Sequence, residues 1–315
     1  MFRVKNSQPS ASQHLSPVDR SEPLGLPPVR TSDFGFPIFN PRSSLHADRE
    51  SHIHNSMNRR QFIAISGTAT AAAITTKTSA AENNSGREYY ELRQVIIEKE
   101  EQKKQVDNFL KEAAIPALNR LGIKPVGVFY PEKALSPIYV LIPHASLESM
   151  ATFQAQMGQD QDFLSKGADF INAPASAPAF KRIESSLMVA FKGMPHLQAP
   201  ELTPGRIFQL RTYESPSVKT NMKKIEMFND AGEIEIFKKV GLTPVFFGQT
   251  LVGSKLPNLT YMLTFKNAEA QQAAWKGFGG NSDWQRLSKM PEYSDKAILS
   301  GITNLPLVPA DYSQI

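Results

Sequence analysis

The feature that most restricts this chain is a phrase written twice. Leu121-Gly122-Ile123-Lys124-Pro125-Val126 returns 119 positions later as Val240-Gly241-Leu242-Thr243-Pro244-Val245. Two further matches keep the same order. Tyr90-Glu91-Leu92-Arg93 aligns with Phe208-Gln209-Leu210-Arg211 at an offset of 118, and Tyr139-Val140-Leu141 with Tyr261-Met262-Leu263 at an offset of 122. An offset that drifts so little argues for one duplicated unit, and a repeat of this length decides the fold before any local propensity does.

Within a unit, Tyr90 and Leu92 alternate with Glu91 and Arg93, the period of a half-buried strand. Over 98–121, Val106, Phe109, Leu110, Ala113, Ala117 and Leu118 recur at three- and four-residue spacing and predict a helix with one apolar stripe. Gly122 stands where a left-handed C-terminal cap belongs. Pro116 interrupts this helix, because proline lacks an amide donor and crowds the preceding turn. The second unit has Gly232 as its weaker interruption. Strands follow at 126–130 and 138–142, then a helix over 146–157 with Ser146 and Ser149 near its start, matched in the second unit by 268–276. The units close with strands at 183–191 and 297–304.

The resulting order of strand, helix, strand, strand, helix, strand is the ferredoxin-like split motif, an α+β class. Such a sheet leaves one face bare, which exposes apolar surface unless something covers it. Two copies in one chain predict the cover: ferredoxin-like repeats over 82–192 and 206–315, packed sheet to sheet as a barrel-like pseudo-dimer, with 193–205 as a Pro-rich linker. A smaller Pro-Ala-Ser loop, 174–179, is expected to border a cleft.

Residues 1–56 hold seven of the 23 prolines and no sustained apolar period, which predicts disorder. Four of the six histidines fall here (His14, His46, His52, His54), without a folded element to gather them around a metal. From Met57 the chain reads as an export signal over 57–81: a basic head with Arg59 and Arg60, an Ala/Thr/Gly/Ile core too short to span a bilayer, and Thr78-Ser79-Ala80-Ala81 for cleavage. The paired arginines indicate the twin-arginine type, hence a periplasmic or otherwise exported mature protein with the export machinery as partner. The same reading makes Met57 the initiator and 1–56 an upstream extension.

Removal of 1–81 takes away nine Lys/Arg and five Asp/Glu. That leaves 35 − 9 = 26 basic against 30 − 5 = 25 acidic groups, so the formal charge falls from +5 to +1. The basic isoelectric point is therefore no argument for nucleic-acid binding. Cysteine is absent, which excludes thiol catalysis and cysteine metal sites.

The strand Tyr90-Glu91-Leu92-Arg93, the helix ending at Leu121-Gly122 before Pro125-Val126, and the later Tyr139 strand resemble the NIPSNAP family of the dimeric α/β barrel superfamily. The resemblance covers 88–191 and 206–304. It implies the paired-sheet fold; the wider superfamily includes cofactor-independent monooxygenases, haem-degrading enzymes and isomerases, while NIPSNAP proteins have no agreed reaction. Function must then be argued from a site.

Candidate site residues fall into three groups. His144 closes a strand and is a candidate base, with its counterpart expected near Lys266; the matched tyrosines Tyr139 and Tyr261 are the other catalytic candidates. Arg93 and Arg211 share one place in both units and are expected to point into the interior between the sheets, where each needs a carboxylate or a ligand anion. Glu91 is the near partner of Arg93, and Gln209 replaces it in the second unit. Tyr90, Phe129, Phe247 and Trp275, with other aromatics, are expected to line an apolar pocket between sheet and helices. These residues predict a small apolar or aromatic ligand, with a cofactor-independent oxygenase or isomerase as the catalytic version. The alternative is a non-catalytic carrier or assembly protein, including a homo-oligomer. No cofactor, metal or membrane span is expected in the mature chain.

Overall fold

The computed structural model describes residues 86–315. The proposed extension and export signal, including Arg59 and Arg60, lie outside the described residues. The first four strands are β1 (Tyr89–Ile96), β2 (Gly127–Pro131), β3 (Ile138–His144) and β4 (Arg182–Ala190). The last four are β5 (Ile207–Glu214), β6 (Thr243–Val252), β7 (Asn258–Phe265) and β8 (Gly301–Pro309). Helices α1 (Glu100–Phe109) and α2 (Ile115–Arg120) separate β1 from β2, and α3 (Leu147–Met157), α4 (Gln161–Lys166) and α5 (Ala168–Ile171) separate β3 from β4. In the second half α6 (Val218–Asn229) and α7 (Glu233–Lys239) follow β5. There α8 (Ala268–Gly280), α9 (Ser282–Ser288) and the short α10 (Asp295–Ile298) follow β7.

All eight strands form one closed antiparallel barrel in the order β1-β3-β2-β8-β5-β7-β6-β4. Each half thus contributes its strands in the relative order fourth, first, third, second. The halves meet edge to edge, by Phe129 opposite Pro309 on one side and Leu187 to Ala190 opposite Val252 to Gly248 on the other. The barrel expected of the two sheets is present, with the sheets continuous through hydrogen bonds at both seams and their inner faces enclosing one shared core. Closure of this kind satisfies the edge amides that two stacked sheets would leave open.

The local signals act as the chain predicts. Gly122 and Gly241 have φ of +78° and +82°, and the amides of Ile123 and Leu242 reach back to the carbonyls of Leu118 and Phe237 at 2.9 and 3.0 Å, which ends both helices in the same left-handed turn. Pro116 interrupts its helix through a single π turn, Leu110–Ala114, in which the Ile115 amide donates to the Leu110 carbonyl. Widening that turn relieves the proline ring's clash with the residue four before it. Ser146 and Asn267 cap α3 and α8 through the amides of Ser149 and Ala270. The last strand begins later than 297: Ala297 and Ile298 complete the α10 turn, and β8 must extend to Pro309 to meet β2.

Three apolar layers result. Tyr90, Leu92, Phe129, Leu141, Phe208, Leu210, Phe246 and Met262 fill the barrel interior. Residues 310–315 close one end of it. The Ala310 and Gln314 amides donate to the Val128 and Val126 carbonyls, Ile315 is fully buried, and Arg206 Nη2 donates to the Ile315 carbonyl at 2.9 Å. Gly127 is needed there, because a Cβ would come within 2.6 Å of the Phe129 ring. Two outer layers lie between sheet and helices, one per half.

Candidate functional site

Strand alternation sets the outer layers. Along β1, Glu91, Arg93 and Val95 face the helices while Tyr90 and Leu92 face the barrel interior. Arg93 and Arg211 therefore stand on the helix side, which corrects the expectation that they point between the sheets. Both faces of β1 and β5 are covered, so alternation along them does not say which face is the interior.

Register gives the correspondence between halves. Arg93 sits opposite Val140, and Arg211 opposite Tyr261. Val128 lies opposite Val140, and Phe247 opposite Tyr261. Tyr139 is thus one position out of step with Tyr261: it pairs with Gln94 and faces the barrel interior, while Tyr261 faces the helices. The same register matches His144, opposite Tyr89, with Phe265, opposite Ile207. Lys266 is not its counterpart.

These pairings expose the main difference between the outer layers. Where the first half has Val95, Val128 and Val140, the second has Tyr213, Phe247 and Tyr261. In the second half these rings pack with Phe228 and Phe237 at centroid separations of 5.2–6.4 Å, and Phe237 meets Phe278 at 4.9 Å. Phe247 and Trp275, expected to line a pocket, are here part of a filled aromatic layer. In the first half the same level holds a cavity of about 290 Å³ lined by Val95, Val106, Leu110, Ala114, Val140 and Phe153, with Arg93 on its wall. Its far side is closed by Phe109, Phe163 and Phe170, the first and last stacked at 3.9 Å.

Arg93 is held by a built arrangement. Its Nε and Nη2 donate to Glu91 Oε1 and Oε2 at 2.7 and 3.0 Å, and its guanidinium carbon lies 5.2 Å from the Phe153 ring centre. Ser185 Oγ also donates to Glu91 Oε1, at 2.7 Å. Burial by itself would raise the Glu91 pKa, but the bonded Arg93 guanidinium and Ser185 hydroxyl, with the His144 ring nearby but not bonded, hold it at about 2. Arg93 Nη1 has no hydrogen bond among the described residues, and its side chain keeps 21% of its surface exposed. His144 stands behind Phe153, with ring centres 5.1 Å apart. Its Nδ1 is 3.3 Å from Ser149 Oγ and its Nε2 is 3.9 Å from Glu91 Oε2, beyond hydrogen-bond length.

The second half rewires the same positions. Gln209, replacing Glu91, accepts from Trp275 Nε1 at 2.7 Å, and Arg211 lies over the Trp275 ring at 4.8 Å. Arg211 Nη2 donates to the Tyr213 hydroxyl at 3.2 Å, which is 2.9 Å from the Tyr261 hydroxyl. Burial, then the neighbouring Tyr213, pushes the Tyr261 pKa well above the ordinary range. Below this layer Lys224 and Glu233 form a fully buried pair at 3.0 Å. Burial pushes Glu233 upward against the pull of Lys224. Lys224 lies on the buried face of α6 with Asn221, Ile225, Met227 and Phe228, and nothing in the sequence alone marks it or Glu233 as buried.

The predicted residues are therefore distributed over three compartments. Arg93 and His144 share the first outer layer, and Arg211, Tyr261, Phe247 and Trp275 share the second. Tyr139, Tyr90 and Phe129 face the barrel interior. Tyr90's hydroxyl is buried without a hydrogen bond among the described residues, and burial, with the Glu88 charge next, holds its ionisation above the ordinary tyrosine range. Among the described residues no group of three or more His, Cys, Asp or Glu side chains is placed to hold a metal ion, and no helix is long and apolar enough to cross a membrane.

Residues 208–314 match the NIPSNAP family model. No curated protein matches the chain. Among solved structures, a provisionally assigned monooxygenase of Lactobacillus acidophilus NCFM aligns at 9% identity and a TM-score of 0.47, over 71% of this chain and 94% of that one. An anthrone oxidase-like protein aligns at 7% identity and 0.43, over 72% and 93%. A NIPSNAP family protein of Agrobacterium tumefaciens aligns at 18% identity and 0.31, over 34% of this chain and 96% of its own.

Proposed function

We propose that this chain, whose residues 208–314 form a NIPSNAP domain, binds a small molecule with an apolar or aromatic body and one carbonyl or carboxylate oxygen, and that the binding site is the outer layer of the first half. One observation carries the reading: where the second half seats three rings, the first has three valines, and the space beneath Arg93 measures about 290 Å³. The pocket opens to solvent beside Ile171 and Ile183, and its apolar wall is surface that an apolar ligand would cover. Arg93 supplies direction. With Nε and Nη2 committed to Glu91, the guanidinium keeps Nη1 for one ligand oxygen, and the adjacent carboxylate keeps the site near neutral.

Binding is favoured over catalysis because His144, Tyr139 and Tyr261 occupy separate compartments and do not converge on one ligand position. The repeated strand order and the paired glycine caps support reading the two halves as copies of one ferredoxin-like unit, with boundaries near 82–192 and 206–315. We also propose delivery by twin-arginine export, on the strength of Arg59, Arg60 and the short apolar segment after them. Cell fractionation of an Arg59→Lys/Arg60→Lys chain tests this: retention in the cytoplasm supports it, and unchanged export refutes it.

The binding reading is tested by fluorescence titration with 2-naphthoic acid and with naphthalene. Arg93→Gln is expected to weaken the acid by roughly tenfold or more and to leave naphthalene almost unaffected. Ala114→Phe, which fills the void, should abolish binding of both. Equal affinity of the wild type and Ala114→Phe would overturn the assignment.

A further inference from the structure

The barrel interior is closed at one end by residues 310–315, whereas at the other end it opens into a cavity of about 360 Å³ on the opposite face of the sheet from the Arg93 pocket. Its floor is apolar, formed by Leu92, Met188, Leu210 and Leu305 with the ring of Tyr139. Its walls carry the hydroxyls of Ser186, Thr212, Thr250, Ser254, Thr260 and Thr303. A run of inward-facing hydroxyls is unusual for the centre of a barrel, where interior positions ordinarily carry packed apolar side chains.

The hydroxyls are organised. Thr212 Oγ1 lies 2.9 Å from Thr260 Oγ1, and Thr250 Oγ1 donates to Asn258 Oδ1 at 2.6 Å. Asn258 is buried, and its Nδ2 donates to the Ser254 and Lys255 carbonyls, both at 3.0 Å, fixing the β6–β7 hairpin over the opening. Lys255 is held in that hairpin at φ +59°, a conformation side chains rarely adopt and one that concentrates at binding and switch segments. Its Nζ reaches Glu214 Oε1 at 3.3 Å and Thr303 Oγ1 at 3.4 Å. The other charge at the mouth, Glu184, is paired with Arg182 at 2.6 Å. Tyr139, 5% exposed, points its ring into the cavity, and its hydroxyl has no partner among the described residues.

We infer that this cavity is a second binding site, for a neutral polyhydroxylated molecule such as a polyol or monosaccharide. Both charges at the mouth are already compensated, so the site has no net preference for an ion. Neighbouring threonine hydroxyls that donate to one another keep lone pairs for ligand hydroxyls, and the Tyr139 hydroxyl is a free donor. The leucines and the tyrosine ring receive the C–H face of such a ligand. The volume falls within the range of small-molecule sites.

The test is calorimetric titration of the full chain with D-glucose, myo-inositol and glycerol, and in parallel with inorganic phosphate and citrate. Saturable binding of a neutral polyol is expected, weakened at least fivefold by Tyr139→Phe and by Thr212→Val, each checked for an unchanged melting transition. Neither variant should alter 2-naphthoic acid binding, since Arg93 lies on the other face of the sheet. Absence of saturable polyol binding at about 10 mM, a preference for phosphate or citrate, or polyol affinity unchanged in both variants would each overturn the inference. The Arg93 pocket would be unaffected by any of those results.

Discussion

The two outer layers are built on the same frame and solve the packing problem in opposite ways. In the first, Val95 and Val140 line an open pocket, and a guanidinium is held by the carboxylate of Glu91. In the second, Tyr213, Phe247 and Tyr261 fill the equivalent space, Gln209 replaces the carboxylate, and the charge is carried deeper by Lys224 and Glu233. The frame therefore specifies helix placement and strand register, while the choice of a few sheet residues decides whether a half holds a core or a cavity.

The largest test of this contrast is the buried pair of the second half. Glu233→Ala should cost about 3 kcal/mol in a urea melt, because the buried Lys224 is left with only the half-exposed Asp295 carboxylate, 3.8 Å away, as its counter-charge. A Lys224→Met/Glu233→Leu double variant should recover most of that loss. If the single variant costs less than the double, the pair is not what holds that layer.

In the first half the corresponding electrostatic role falls to Glu91. Its pKa is held at about 2 against an ordinary value of 4.5, so the stabilisation is complete above the unfolded value and disappears as pH falls from 4.5 toward 2. At neutral pH it amounts to about 3 kcal/mol. Stability measured from pH 6 down to pH 2 should fall steeply in the wild type and less steeply in Glu91→Gln. An unchanged acid limb in that variant would assign the acid sensitivity elsewhere.

Packing substitutions should change sign between the halves. Ala114→Leu enlarges a side chain beside the void and should be neutral or stabilise by up to about 1–2 kcal/mol. Ala274→Leu enlarges one inside the aromatic layer and should destabilise by about 1–3 kcal/mol. Thermal melts that gave the same sign for both would break the comparison. The smallest effect should be the most alike: Gly122→Ala and Gly241→Ala place a Cβ at positive φ with nothing within 4 Å, so each should cost about 1 kcal/mol through backbone strain alone.

What could be read from the sequence follows the range of the forces involved. Gly122, Gly241, Pro116 and the α1 stripe act over one or two turns, and each produced the local structure its chemistry dictates. The sidedness of Arg93 was not legible, because β1 is covered on both faces and either assignment satisfies the alternation. The match of Tyr139 to Tyr261 looked sound as residue identity but is one place out of register, and that single step puts them on opposite faces of the sheet. The offsets of 118 at Arg93 and 119 at Gly122 pair Val95 with Tyr213 and Val128 with Phe247, and only the match of Val140 to Tyr261 needs the strand register. The barrel cavity was not foreseen, since its hydroxyls come from strands distant in sequence and share no short motif.

The closed barrel has one more effect, on how the molecule assembles. Its two inter-half seams, β2 with β8 and β4 with β6, join parts of a single chain connected through residues 191–206. Bringing them together is a loop-closure event at an effective concentration set by that short connection, rather than an encounter of two molecules. Formation of the barrel is therefore insensitive to dilution. A half that changes its outer layer need not preserve a surface on which an identical copy of itself would also depend, as it must in a symmetric dimer.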